Sequence, residues 1–105
     1  MEKEPVVLCA ASAYEEKYYF NPQFKNLPQD ILDELQVLCV TFTADVGGIM
    51  ALQFAEDGQL EIYTEAAEED LLYDEIGSVL KVKQIQREKE ELLTNLELYY
   101  KAFFT

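Results

Sequence analysis

Apolar runs and their punctuation divide this chain into short and long segments. Val6 to Ala13 is a short apolar run bounded by Pro5, and it reads as a buried strand. Tyr14-Glu15-Glu16 supplies a turn and Lys17-Tyr18-Tyr19-Phe20 a second strand, together an opening hairpin. Asn21-Pro22 then interrupts, because the residue before a proline is pushed out of the helical region, and a loop runs to Leu27. Pro28 suits the first position of a helix, where a missing N–H costs nothing. Asp30, Asp33 and Glu34 suit the positive end of that helix's dipole. Ile31, Leu35, Leu38 and Phe42 recur at helical spacing and form one apolar face. Val37 to Thr43 is rich in β-branched residues and would also suit a strand. The unbroken face to Phe42 favours helix, ended by Gly47-Gly48.

Ile49 to Phe54 reads as a third strand and Leu60 to Thr64 as a fourth, with Asp57-Gly58 between them. Asp-Gly between two apolar-patterned runs is a hairpin signal, since both residues tolerate the positive φ angles of the turn. Leu60, Ile62 and Thr64 alternate with Glu61, Tyr63 and Glu65, so one face of that strand is wet. From Glu68 the pattern is helical almost to the end of the chain. Leu72, Ile76, Val79 and Leu80 make an apolar stripe that Ile85, Leu92, Leu96, Tyr99 and Phe103 continue. Gly77 inside it costs about 1 kcal/mol relative to alanine and marks a bend or a close helix crossing. Unbroken, the helix would span on the order of 50 Å, long for such a chain, so a break near Gly77 is the alternative. The order ββ-α-ββ-α predicts one α+β domain over residues 1–105. It is a two-layer arrangement with an antiparallel sheet of about four strands and a long C-terminal helix.

Composition sharpens this picture. Half of the 105 residues are apolar, with seven Tyr and six Phe, which argues for a packed core in spite of a net charge of −13. The charge is uneven. No Lys or Arg lies between Lys25 and Lys81, whereas Lys81, Lys83, Arg87 and Lys89 fall close together. A polyanion needs a basic footprint, so nucleic acid is disfavoured as a partner, and so is an anionic membrane surface. The first residues lack the basic and apolar regions of a signal peptide, and no apolar run is long enough to span a membrane. Cys9 and Cys39 each sit inside an apolar run and are expected to be buried thiols of a cytoplasmic protein.

Candidate chemistry is sparse. There is no histidine, hence no imidazole base or metal ligand. No glycine-rich phosphate loop and no nucleophile elbow occurs, and two cysteines thirty positions apart do not make a zinc site. No cofactor is expected. The acidic block Glu65, Glu68, Glu69, Asp70, Asp74 and Glu75 is open to three readings: a solvated helix face, a dock for a basic protein, or a divalent-cation site. On a helix Asp70 and Asp74 would be like-charged neighbours needing relief. Tyr99 and Phe103 would share one helix face, with Tyr100 and Phe104 about 100° around it. A stripe that wide is covered within the monomer or by a second chain. The resulting expectation is a non-enzymatic interaction protein that forms a homodimer and presents an acidic surface to a basic partner. Glu68, Glu69, Asp70, Asp74, Glu75, Tyr99, Tyr100, Phe103 and Phe104 are its candidate contact residues. Cation binding within residues 65–75 and a carboxylate-only enzyme are the alternatives.

Three segments carry a resemblance: Ala44-Asp45-Val46-Gly47-Gly48-Ile49-Met50-Ala51-Leu52-Gln53-Phe54, Glu69-Asp70-Leu71-Leu72-Tyr73-Asp74-Glu75-Ile76-Gly77, and Glu97-Leu98-Tyr99-Tyr100-Lys101. Together they resemble a family of small bacterial proteins of unknown function, over nearly the whole chain. The resemblance implies a free-standing cytoplasmic protein and assigns no activity, ligand or catalytic residue. A weaker resemblance is to the roadblock family of small dimeric adaptors. There too a helix leads into a glycine and a strand hairpin with Asp-Gly, here Gly47 through Ile62. The opening hairpin and the long final helix depart from the roadblock order.

Overall fold

Strand signals and turn signals agree along the first two-thirds of the chain. The computed structural model describes residues 4–104. Strands β1 (Val6–Ser12) and β2 (Lys17–Phe20) form the opening hairpin. A short 3-10 turn, Pro22–Phe24, follows where a plain loop was expected. The Asn21 side chain accepts from the Gln23 N–H at 3.0 Å and donates to the Val7 carbonyl at 2.8 Å, which ties the turn to the sheet. Helix α1 (Gln29–Val46) includes all of Val37 to Thr43, so the continuous apolar face prevails over β-branching there. Pro28 occupies the N-cap rather than the first helical position.

Strands β3 (Ile49–Phe54) and β4 (Leu60–Glu65) form the second hairpin, and the sheet runs β2-β1-β3-β4 with every pair antiparallel. Side chains of alternate residues point to opposite faces. Met50, Leu52 and Phe54 face the helices and are buried. Across the opposite face runs the row Tyr19, Ala10, Ala51 and Tyr63, set by the register of the four strands.

The region from Glu68 departs from the expected single helix. Residues 68–74 form turns, and only at Glu75 does helix α2 (Glu75–Glu88) begin. Helix α3 (Glu90–Phe104) follows, with Lys89 at the junction in a non-helical conformation. The break therefore lies at Lys89, not near Gly77. Gly77 sits in the first turn of α2, where a Cβ would collide with the Asp74 carboxylate. Tertiary contacts flank the bend at Lys89: its ammonium is 3.0 Å from Glu34 of α1, while Glu97 of α3 accepts from the Leu60 N–H of β4 at 2.8 Å.

The core lies between the sheet and α1 with α3. Leu35, Cys39, Phe42 and Val46 come from α1, and Leu92, Leu96 and Tyr100 from α3. Phe24 closes one end, its ring centroid 5.6 Å from Phe54 and 4.7 Å from Phe104. Among the described residues no helix is long and apolar enough to cross a membrane.

Candidate functional site

The segment 67–80 is held on the body by its polar atoms and by one ring. The Tyr14 hydroxyl donates to Asp70 Oδ2 at 2.6 Å and accepts from the Ala67 N–H at 2.9 Å. Asp70 Oδ1 accepts from the Leu72 N–H at 3.0 Å. The Asp74 N–H donates to the Val46 carbonyl at 3.1 Å, and its carboxylate caps α2 by accepting from the Gly77 N–H at 2.8 Å. Tyr73 turns inward over Gly48, where a Cβ would come within 2.7 Å of the ring. Its hydroxyl donates to Ser78, the one buried residue of α2.

With Tyr73 and Ser78 facing in, the neighbouring aliphatic side chains face out. Leu71 and Leu72 are each 93% exposed, Ile76 76%, Leu80 61% and Val79 54%. Half of the apolar stripe read from the sequence is thus a solvent-facing ridge. Glu68, Glu69 and Glu75 are exposed beside it. The other candidate acids have local tasks, Asp70 in the turn and Asp74 at the cap. They are not neighbours on a helix, and main-chain amides relieve their charge without a cation. Among the described residues no three carboxylates or thiols are gathered so as to hold a metal ion.

Basic side chains line the far half of α2. Lys81 pairs with Asp45 at 2.9 Å and Lys89 with Glu34 at 3.0 Å. Lys83 and Arg87 are exposed and, among the described residues, make no ion pair. The aromatic candidates pair by face as expected, Tyr99 with Phe103 and Tyr100 with Phe104, but Tyr100 rather than Tyr99 continues Leu92 and Leu96 into the core. Tyr100 is buried, its centroid 4.2 Å from Phe54 and 5.5 Å from Phe104. Tyr99 packs partly against the core, and Phe103 beside it at 4.9 Å is 72% exposed. Most of that aromatic surface is consumed within the monomer.

A family model described as a family of unknown function, DUF6145, matches residues 5–105. The chain belongs to the DUF6145 family. Neither the curated proteins nor the solved structures contain a match to it. The family, as described, assigns this DUF6145 chain no activity, so its own geometry carries any reading of function.

Two features of this DUF6145 chain had little or no signal in the sequence. The ridge was visible only as a stripe, whose outward direction depends on the anchoring of Tyr73. The second is a thiol pair. Cys9 and Cys39 are free, fully buried, and bring their sulfurs to 3.6 Å. A separation of thirty positions along the chain conceals that contact. The contact between the two sulfurs, together with burial, pushes the Cys39 thiol up, while the same contact lowers Cys9. Burial, reinforced by Cys9 alongside, also pushes the Tyr18 phenol up.

Proposed function

We propose that this protein is a non-enzymatic interaction module of the cytoplasm, which docks a protein partner on the ridge Leu71, Leu72, Ile76, Val79 and Leu80. The observation that carries the reading is the exposure of five large aliphatic side chains within ten residues, the least exposed of them at 54%. Burying apolar area is worth about 25 cal/mol per Å², and contiguous exposed apolar patches mark interaction sites. The ridge is bordered by Glu68, Glu69 and Glu75, which supports an acidic rim around an apolar centre, the common anatomy of an interface. The two free thiols support a reducing compartment.

A photo-crosslinking residue in place of Leu80, with one in place of exposed Asn95 on α3 as control, tests this in cells. Protein adducts from position 80 and few or none from position 95 are expected. An absence of adducts at position 80 would overturn the reading.

A further inference from the structure

We propose that the occupant of this ridge is a second copy of the chain, whose α2 lies antiparallel across a twofold axis near Val79 and Leu80. This rests on the ridge being a docking surface and names its partner. At 3.6 residues per turn, Ile76, Val79, Leu80, Lys83 and Arg87 share one face of α2. All five are exposed. The face is electrically graded. Its N-terminal end is flanked by Glu68, Glu69 and Glu75, and its C-terminal end carries Lys83 and Arg87.

A twofold interface is isologous, so every contact is made twice. Antiparallel pairing about Val79 and Leu80 sets Val79 against Leu80 of the partner subunit. It lays Ile76 on the aliphatic stem of Lys83 of the partner subunit, whose ammonium then reaches the acidic end. Long basic side chains cover apolar surface with their stems while keeping the charge in water. By the same register Arg87 opposes Leu72 of the partner subunit, three residues from that subunit's acidic turn. Parallel pairing would place acids on acids and bases on bases.

Of the four bases between positions 81 and 89, the two this arrangement uses make no ion pair within the described residues, whereas Lys81 and Lys89 are engaged by Asp45 and Glu34. Overall repulsion between two chains of −13 is blunted at physiological salt, where the Debye length is about 8 Å. Charges in contact therefore decide the pairing.

Sedimentation equilibrium of the full chain over a range of concentrations tests the proposal. The wild type is expected to show a monomer–dimer equilibrium. Lys83→Glu with Arg87→Glu should weaken it at least about tenfold by placing like charges together. Glu68→Lys, Glu69→Lys and Glu75→Lys in one chain should weaken it as well. Mixed together, the two variants should form a heterodimer tighter than either homodimer, because an all-acidic face meets an all-basic one; the weakening of each homodimer is what separates antiparallel from parallel pairing, in which charge reversal only exchanges one repulsion for another. All these positions are exposed, and circular dichroism checks that each variant folds. A wild type monomeric at every concentration overturns the proposal. So does a dimer indifferent to both charge reversals. In either case, adducts of another mass from position 80 would leave the docking surface standing with a different partner, whereas no adducts would remove both.

Discussion

Helices α2 and α3 are neighbours in the chain and nearly equal in length, at 14 and 15 residues, yet they use their apolar residues in opposite ways. In α3, Leu92, Leu96 and Tyr100 recur every four residues and enter the core. In α2 the inward face is thin: Ser78 is buried, and Val82 and Ile85 are half-buried. Its broader apolar face, around Ile76, Val79 and Leu80, is turned to solvent. An amphipathic surface helix ordinarily sets its apolar stripe on the core. A helix anchored by its narrower side retains the other for something else. Periodicity reveals a stripe, and only the anchoring decides whether the stripe holds the fold together or reaches beyond it.

Truncating each helix at one leucine separates the two roles most sharply. Leu96→Ala should leave a cavity under α3 and cost about 2–5 kcal/mol in denaturant unfolding. Leu80→Ala should change the stability of the monomer by no more than about 0.5 kcal/mol. A large loss from Leu80→Ala at concentrations where the chain is monomeric would mean that α2 holds the fold as α3 does.

Alkali acts on the buried groups, and on exposed Tyr14, whose hydroxyl is pushed up by its hydrogen bond to Asp70. The Cys39 thiol and the Tyr18 phenol are pushed up from ordinary values of 9.0 and 10.0. The unfolded chain therefore releases these protons first as pH rises. Where the unfolded state binds fewer protons, stability falls with pH. The contribution is fully present below about pH 9 and declines above it, with Cys9, lowered by its contact with Cys39, offsetting part. Urea unfolding from pH 8 to 11 should show this decline, and Tyr18→Phe should flatten it. An unchanged slope in that variant would remove Tyr18 from the account.

The anchor of α2 comes next. Gly48 has φ +70, and a Cβ there would lie 2.6 Å from the Glu65 carbonyl oxygen and 2.7 Å from the Tyr73 ring. Gly48→Ala should cost on the order of 1–3 kcal/mol and release Tyr73. Hydrogen exchange should then quicken in α2 well before α3; equal quickening would deny Tyr73 its anchoring role. Asp74→Ala removes the cap of α2 and should cost about 0.5–2 kcal/mol by the same denaturant measurement, while leaving protection in α3 unchanged.

The sheet was legible because its signals are local. Asp57-Gly58 marks the second hairpin, and alternation in β4 separates Leu60 and Ile62 from Glu61 and Tyr63. Helix α1 was legible from Leu35 and Phe42, since a continuous stripe outweighs the β-branching of Val37 and Val40. The C-terminal third was half legible. Its helical content follows from period, but Gly77 attracted the expected break on propensity alone. That glycine leaves room for the Asp74 carboxylate at the cap, and the real bend at Lys89 carries no local mark. The site divides likewise. The exposure of Glu68, Glu69 and Glu75 was legible from charge, whereas the exposed ridge and the burial of Tyr100 depend on packing that joins residues far apart in sequence.

The smallest effect concerns the junction that lets the two helices differ. Lys89 reaches Glu34 with both side chains more than a third exposed, and pairs of that kind contribute up to about 1 kcal/mol. Lys89→Met keeps the stem and removes the charge, so global stability should change by less than about 1 kcal/mol. The sensitive readout is orientation. A spin-label distance between position 80 on α2 and position 94 on α3 should broaden if the ion pair fixes the bend. A distribution as narrow as that of the wild type would assign the bend to the separate seats of α2 and α3 alone. The outward face of α2 would then follow from Tyr73 and Ser78, with no contribution from the charge at the joint.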